Sequence, residues 1–341
     1  MAYITLNKKY FFNNLDIITQ LTCDKDKIAL VLKDNAYGHG LLEVAQMAQE
    51  YGIRKAVVRS ASEARQVEKY FEYILVLADI PAQKSEKIRF TINDLSQIEH
   101  FAVGTKVELK VDSAMNRNGI EADELARAFE KIEARGLVLE AVFTHHSSAD
   151  EENGFYLLQK ENFAEIKKEA QRLAQLYGFA PLRLHSCNSA ALFKETAFDE
   201  DMVRVGIAAY GCLELPFEGL HNKLQPILQL FIEKISQRTL QKGECVGYGA
   251  SFQTQQVCEV SNYDFGYADG FLRSCSNHYI TPNGEKIAGR ISMDNSSFLT
   301  DKEQLLLFDD ARVAAKQAGT ISYEILTSLR SYIKRSVVTT D

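Results

Sequence analysis

The sequence predicts an α/β protein, a (β/α)8 barrel of the TIM type followed by a mostly β C-terminal domain. Three observations lead there. From about residue 27 to about residue 206, eight short apolar runs alternate with helix-period segments. No G-x-G-x-x-G follows the first run, which counts against a doubly wound dinucleotide-binding sheet. From about residue 226 the texture changes to short β-leaning segments separated by turns.

The expected barrel strands are 27–33, 55–59, 73–78, 90–92, 106–112, 138–144, 181–186 and 202–205, the fourth being the weakest. Clear helices lie between several of them. Leu41, Val44, Ala45 and Ala48 share one helical face, and Gly52 supplies the stop. Leu125, Ala128, Phe129 and Ile132 do the same ahead of Gly136. The barrel is therefore expected over 8–225, and the β domain over 226–341 with an N-terminal strand from 1–7. Pro282–Gly284 reads as a hairpin turn in the second domain.

Bulk properties narrow the function. A chain of 341 residues with 46% hydrophobic residues can build one large core or two. Its net charge of -7 disfavours nucleic acid and anionic membranes as partners. Apolar runs such as Tyr73–Ala78 are strand-length and far short of a membrane span. The six cysteines form no C-x-x-C pair and read as reduced thiols. With no signal-like apolar core in the first 15 residues, a cytoplasmic location is expected.

A barrel places its chemistry at the C-terminal ends of its strands. Those ends here carry Lys33, Arg59, Asp79, Asp112, His145, His185 and Arg204. The loops beyond carry Tyr37, Arg117, Asn188, Ser189, Gly206 and Ile207. A set this rich in amine, imidazole and guanidinium suits an anionic cofactor and an anionic substrate. Lys33 ends the apolar run Ile28–Leu32 and opens K-D-N-A-Y-G-H-G. It is either a solvated strand end or an amine held for use as nucleophile or base. Asn188 and Ser189 stand at a helix start, and Gly206 and Ile207 follow the eighth strand. Free N–H groups at both places fit a phosphate, although an N-cap residue is ordinarily just a cap.

Seven segments in order then resemble one family: VLKDNAYGHG, ELKVDSAMNRNG, HSCNSAA, MVRVGIAAYG, VGYGASF, FGYADG and GRISMDN. They span residues 31 to 295 and are similar to alanine racemase, a pyridoxal-phosphate enzyme. The resemblance implies interconversion of L-alanine and D-alanine, which supplies D-alanine for peptidoglycan. It implies pyridoxal 5'-phosphate carried on Lys33. Tyr37, Asn188, Ser189, Gly206 and Ile207 would hold the phosphate end, with Tyr332 as the C-terminal tyrosine. Arg204, braced by His185, would meet the pyridine nitrogen. Tyr248 would be the second base, opposite Lys33. A phenol with its ordinary pKa near ~10 is a poor base at neutral pH, so cationic help from His145 and Arg204 is implied. Arg117, Met293 and Tyr267 would contact substrate, and Lys110 is a candidate for carbamylation. In the family, Tyr248, Tyr267 and Met293 would reach the site from a second subunit, so a homodimer with composite sites is implied.

The chain departs from the family at two places. Ser292 stands where many members carry cysteine, and DSAMNR replaces the commoner DTGMGR. Both bear on substrate breadth. A broader-specificity or serine racemase on the same fold is the alternative, and an amino-acid decarboxylase a weaker one. The decarboxylases carry a glycine-rich phosphate loop, and this chain has no adjacent glycines. A cofactor carrier would be a lone barrel. A metal-dependent hydrolase built on Lys110, His145, His146 and Asp150 would want an early H-x-H, and there is none.

Overall fold

The computed structural model describes residues 1–81 and 84–339. The first strand, β1 (Tyr3–Asn7), stays outside the barrel. The eight barrel strands follow: β2 (Ile28–Val31), β3 (Lys55–Val58), β4 (Tyr73–Val76), β5 (Ile88–Ile92), β6 (Lys106–Lys110), β7 (Val138–Phe143), β8 (Arg183–His185) and β9 (Val203–Val205). They pair in parallel in the order β8-β7-β6-β5-β4-β3-β2-β9. The ring closes through an isolated bridge, in which Arg204 N donates to Cys187 O at 3.0 Å.

The helices follow their apolar periods. Leu41–Tyr51 buries Leu41, Val44, Ala45, Met47 and Ala48 and ends at Gly52, whose φ of 101° suits a glycine. Leu125–Ala134 buries Leu125, Ala128, Phe129 and Ile132. Two connections differ from the expected strand–helix units. No helix joins β4 to β5 among the described residues, where the chain carries Pro81 and lacks a helical apolar period. Between β5 and β6 lies a 3-10 segment, Leu95–His100. Its buried Leu95 and Ile98, with Phe101 after it, recur every three residues, the 3-10 repeat.

The second domain is built on β10 (Leu228–Leu240), a long bent strand. A short hairpin, β11 (Cys245–Val246) and β12 (Phe252–Gln253), comes next. Then follow β13 (Cys258–Tyr263), β14 (Ser296–Phe298), β15 (Gln304–Phe308) and β16 (Lys334–Val338). The sheet runs β14-β13-β10-β1-β16, with β15 also on β10. β1 is antiparallel to β10 and parallel to β16, which ties the start of the chain to its end. At the Pro282–Gly284 turn, Thr281 N donates to Glu285 O at 3.0 Å and Gly284 has φ 92°.

The barrel interior is not a purely apolar stack. Arg89, Glu108, Glu140, Arg183, His185 and Arg204 bond to one another within it, an exception to the branched apolar layers usual in this fold.

Candidate active site

Lys33 heads an unusual turn. Asp34, Asn35, Ala36 and Tyr37 all lie in the left-handed region, with φ of 54, 57, 52 and 50°. Such backbone costs roughly 1–2 kcal/mol per non-glycine residue, so the surroundings must impose it. Asp34 N donates to Glu63 Oε1 at 2.8 Å, and Leu41 N to Asn35 Oδ1 at 2.9 Å. Arg335 Nε donates to Gly38 O at 2.9 Å. Gly38 is packed so closely that a Cβ there would lie 1.9 Å from Leu326 O. The result holds Lys33 Nζ 3.8 Å from the Asp34 carboxylate and 5.9 Å from the centre of the Tyr37 ring.

Tyr37 ends this turn inside a cluster of rings, with Tyr210 at 5.5 Å and Tyr323 at 5.6 Å. Its ring lies against Gly206, where a Cβ would come 2.9 Å from the Tyr37 hydroxyl. Burial, then Tyr323 and Asp34, push the Tyr37 phenol well up, so it enters the site as a neutral donor. Ser189 Oγ accepts from Gly206 N at 3.0 Å and from Ala208 N at 3.4 Å. Asn188 is the N-cap of helix Ser189–Lys194, accepting from Ala191 N at 2.9 Å, and it donates to His146 O at 3.0 Å. Ile207 is buried next to Gly206. Tyr332 is placed elsewhere: it is 69% exposed and donates to Asp269 Oδ1 at 2.6 Å. The C-terminal tyrosine that meets Tyr37 is Tyr323, which sequence reasoning missed. Only the segment S-Y-E-I marked it, and a tyrosine at a helix start has no pattern of its own.

Arg204 is buried and almost fully engaged. Nη1 donates to His185 Nδ1 at 2.6 Å, and Nη2 to Thr144 O at 2.7 Å and Ser186 O at 3.0 Å. Its plane faces Phe143, whose ring stacks on His185 at 4.8 Å. Its Nε–H enters none of the hydrogen bonds among the described residues. Burial, with Arg204, Lys110 and Arg117 nearby, holds His145 well below the usual imidazole range, so, contrary to the expectation that it brings positive charge, it is a neutral ring and the fixed cation beside it is Arg204.

Lys110 is 8% exposed, and among the described residues its amine makes neither hydrogen bond nor ion pair. Burial, then Arg117 and Arg204, push it down to about 8. Asp112 shapes the loop that follows, accepting from Ala114 N at 2.6 Å and Arg117 N at 3.2 Å. Ala114 has φ 103° and Asn116 φ 54°, and these are the two positions where D-T-G-M-G-R would carry glycine. Arg59 and Asp79 serve the rim structurally: Arg59 lies 3.5 Å from Asp34, and Asp79 accepts from Ala61 N at 2.9 Å.

The residues expected on the second domain point outward. Tyr248 is 67% exposed, Met293 54% and Tyr267 42%. Tyr248 stands between Gly247 and Gly249, both with positive φ. Backbone bonds from Tyr267 N to Ser292 O (3.0 Å) and from Ala268 N to Met293 O (2.9 Å) hold the other two together. Ser292 Oγ donates to Asn295 O at 2.8 Å, which pins the same loop. Among the described residues no hydrogen bond, ion pair or ring contact joins this group to Lys33, Tyr37 or Arg204.

Comparison with known proteins agrees with this layout. The family model described as alanine racemase, N-terminal domain, matches residues 6–214, and that for the C-terminal domain matches residues 227–337. Alanine racemase of Campylobacter curvus is 41% identical over 340 residues, covering 99% of this chain and 100% of the relative. That of Nitratiruptor sp. is 39% identical over 336 residues, covering 98% and 99%. The solved alanine racemase of Clostridium difficile 630 superimposes with TM-score 0.88 at 26% identity, covering 99% of this chain and 96% of that one. The Bacillus anthracis enzyme with bound L-Ala-P gives 0.87 at 27% identity, covering 99% and 95%. The chain belongs to the alanine racemase family of amino-acid isomerases.

Proposed function

We propose that the protein interconverts L-alanine and D-alanine using pyridoxal 5'-phosphate, with Lys33 and Tyr248 as the two bases. The observation that carries this reading is the strained turn that holds the Lys33 amine over Tyr37 at the mouth of a barrel with cationic walls.

The residues present fit the cofactor. Gly206 lets the backbone pass directly against the Tyr37 hydroxyl, where a Cβ would clash, and the Ser189 hydroxyl, on which the Gly206 and Ala208 N–H groups converge, would meet a phosphate there together with the Ile207 N–H. Tyr37 and Tyr323 close that end. Arg204 has a donor to spare, at Nε, for the pyridine nitrogen. When bound, the cofactor supplies an electron sink that acidifies the substrate Cα–H. Arg204 keeps its proton, so it would hold the ring nitrogen by donating a hydrogen bond without protonating it.

This chain's residues then divide the work. Arg117 receives the substrate carboxylate. Lys33 Nζ and the Tyr248 hydroxyl hold and move the Cα proton on opposite faces, one removing it and the other returning one. Tyr248, Tyr267 and Met293 come from a second copy of the chain, in keeping with their exposure and their lack of contact with Lys33 here. Lys110, with its lowered pKa, is the amine most suited to carbamylation, and the resulting anion would orient Arg117. The enzyme would act in the cytoplasm and supply D-alanine for peptidoglycan.

Mixing two inactive variants tests the composite site. Lys33→Ala and Tyr248→Phe chains, denatured together and refolded, form mixed dimers in which one of two sites is intact. About a quarter of wild-type activity is expected from random pairing. No recovery, with dimers confirmed, would mean that both bases belong to one chain.

A further inference from the structure

A row of charges crosses the barrel beneath Arg204 and has no part in the scheme above. Arg89 Nε donates to Glu140 at 2.8 Å. Arg183 Nη2 donates to Glu140 at 3.0 Å and to Glu108 Oε1 at 2.8 Å. Tyr73 donates to the same Glu108 oxygen. The other oxygen, Oε2, lies 3.0 Å from His185 Nε2. Glu108 and His185 are both fully buried.

The donor count settles the protons. A guanidinium has donors only, so His185 Nδ1 must accept from Arg204, and the imidazole proton is on Nε2. That proton goes to Glu108 Oε2. We propose that Glu108 is a positioning residue: its buried carboxylate holds His185 as the Nε2–H tautomer, and so fixes Arg204 with Nε free to meet the cofactor's ring nitrogen. The proposal rests on the functional reading above for its last step only.

The choice of glutamate follows. Oε1 faces Arg183, which cannot accept, and Oε2 faces an N–H. A glutamine would have to turn its NH2 toward one of them. Facing Arg183 it makes a donor–donor clash. Facing His185 it reverses the tautomer and sets Nδ1–H against Arg204. Only a carboxylate accepts on both sides. Burial would raise the Glu108 pKa, but the hydrogen bond from His185, the Arg183 charge and the Tyr73 hydroxyl together hold it below the usual carboxylate range. Phe143 stacks on His185 and sets the plane of the ring, whereas Glu108 sets where its proton is.

The test is the nitrogen-15 spectrum of histidine-labelled protein as purified, with the His185 signal identified by its loss in His185→Gln. Wild type should show one neutral tautomer protonated at Nε2. An Nδ1–H tautomer or an imidazolium in wild type overturns the proposal, whatever the enzyme's activity. Glu108→Gln should change the tautomer and lower kcat on the order of tenfold or more with KM little changed. Glu108→Asp, which keeps two acceptors, should retain the tautomer and more of the rate. A folded Glu108→Gln with unchanged tautomer or unchanged kcat also overturns it. If that variant does not fold, the wild-type tautomer decides alone.

Discussion

Replacing Gly206 with alanine should weaken cofactor binding through a single contact. The new Cβ would stand 2.9 Å from both Cε2 and the hydroxyl oxygen of Tyr37, and 3.1 Å from Cζ. Non-bonded carbons prefer about 3.5–4.0 Å, so the ring or the backbone must give by more than half an ångström. The ring has little room, because Tyr210 and Tyr323 flank it. Overpacking of this kind costs typically about 1–3 kcal/mol. If the displaced ring takes that cost from the phosphate contacts, affinity falls roughly 5- to 150-fold, at 1.4 kcal/mol per decade. The assay is titration of cofactor-free protein with pyridoxal phosphate, followed by absorbance. In a Tyr37→Ala background the same substitution should have little further effect, since the clash is gone. Affinity within twofold of wild type for Gly206→Ala alone would refute the reasoning.

Ala114→Gly removes a side chain held at φ 103°; strain of about 1–3 kcal/mol is relieved against ~0.4–1 kcal/mol of added unfolded-state entropy, so thermal melting should rise by a degree or more. Tyr323→Phe should keep the ring packing on Tyr37, leave melting unchanged and weaken cofactor affinity about fivefold or more, by loss of one hydroxyl contact. Burial pushes His39 and His146 down from 6.5 to about 4, with one ring nitrogen of each left unpartnered. A depressed folded pKa gives stability that is complete above the unfolded value and is lost as pH falls toward the folded one. Each histidine should therefore forfeit on the order of 3 kcal/mol between pH 6.5 and 4. Glu108, held below the usual carboxylate range, adds its loss only below 4.5. Urea unfolding at a series of pH values checks this, and a flat profile from 6.5 to 4.5 would contradict it.

The barrel was legible because its strands are continuous apolar runs and its helices keep a 3.6-residue period. Where the period was three, as at Leu95, Ile98 and Phe101, the same alternation concealed a 3-10 connection. Lys33 was legible from its place at a strand end, but the left-handed turn behind it was not. Asp34 and Asn35 read as ordinary stops, and only Glu63, Leu326 and Arg335, distant in sequence, impose the geometry. Tyr323 was missed because ring-on-ring packing against Tyr37 leaves no spacing to read. Glu108 was missed as well. Its signal is an acidic residue at an inward position, two before Lys110, flanked directly by the apolar Val107 and Leu109. Its partners come from β4 and β8, and only the folded barrel brings them together.

The most direct test of the central claim is to supply the purified protein with pyridoxal phosphate and L-alanine in deuterated water. Wild type, Lys33→Ala and Tyr248→Phe should be compared on one day. The account predicts D-alanine carrying deuterium at Cα from wild type, and near-complete loss of its formation in both variants. Racemisation at full rate without the Tyr248 hydroxyl, or none by wild type with any amino acid, would contradict it.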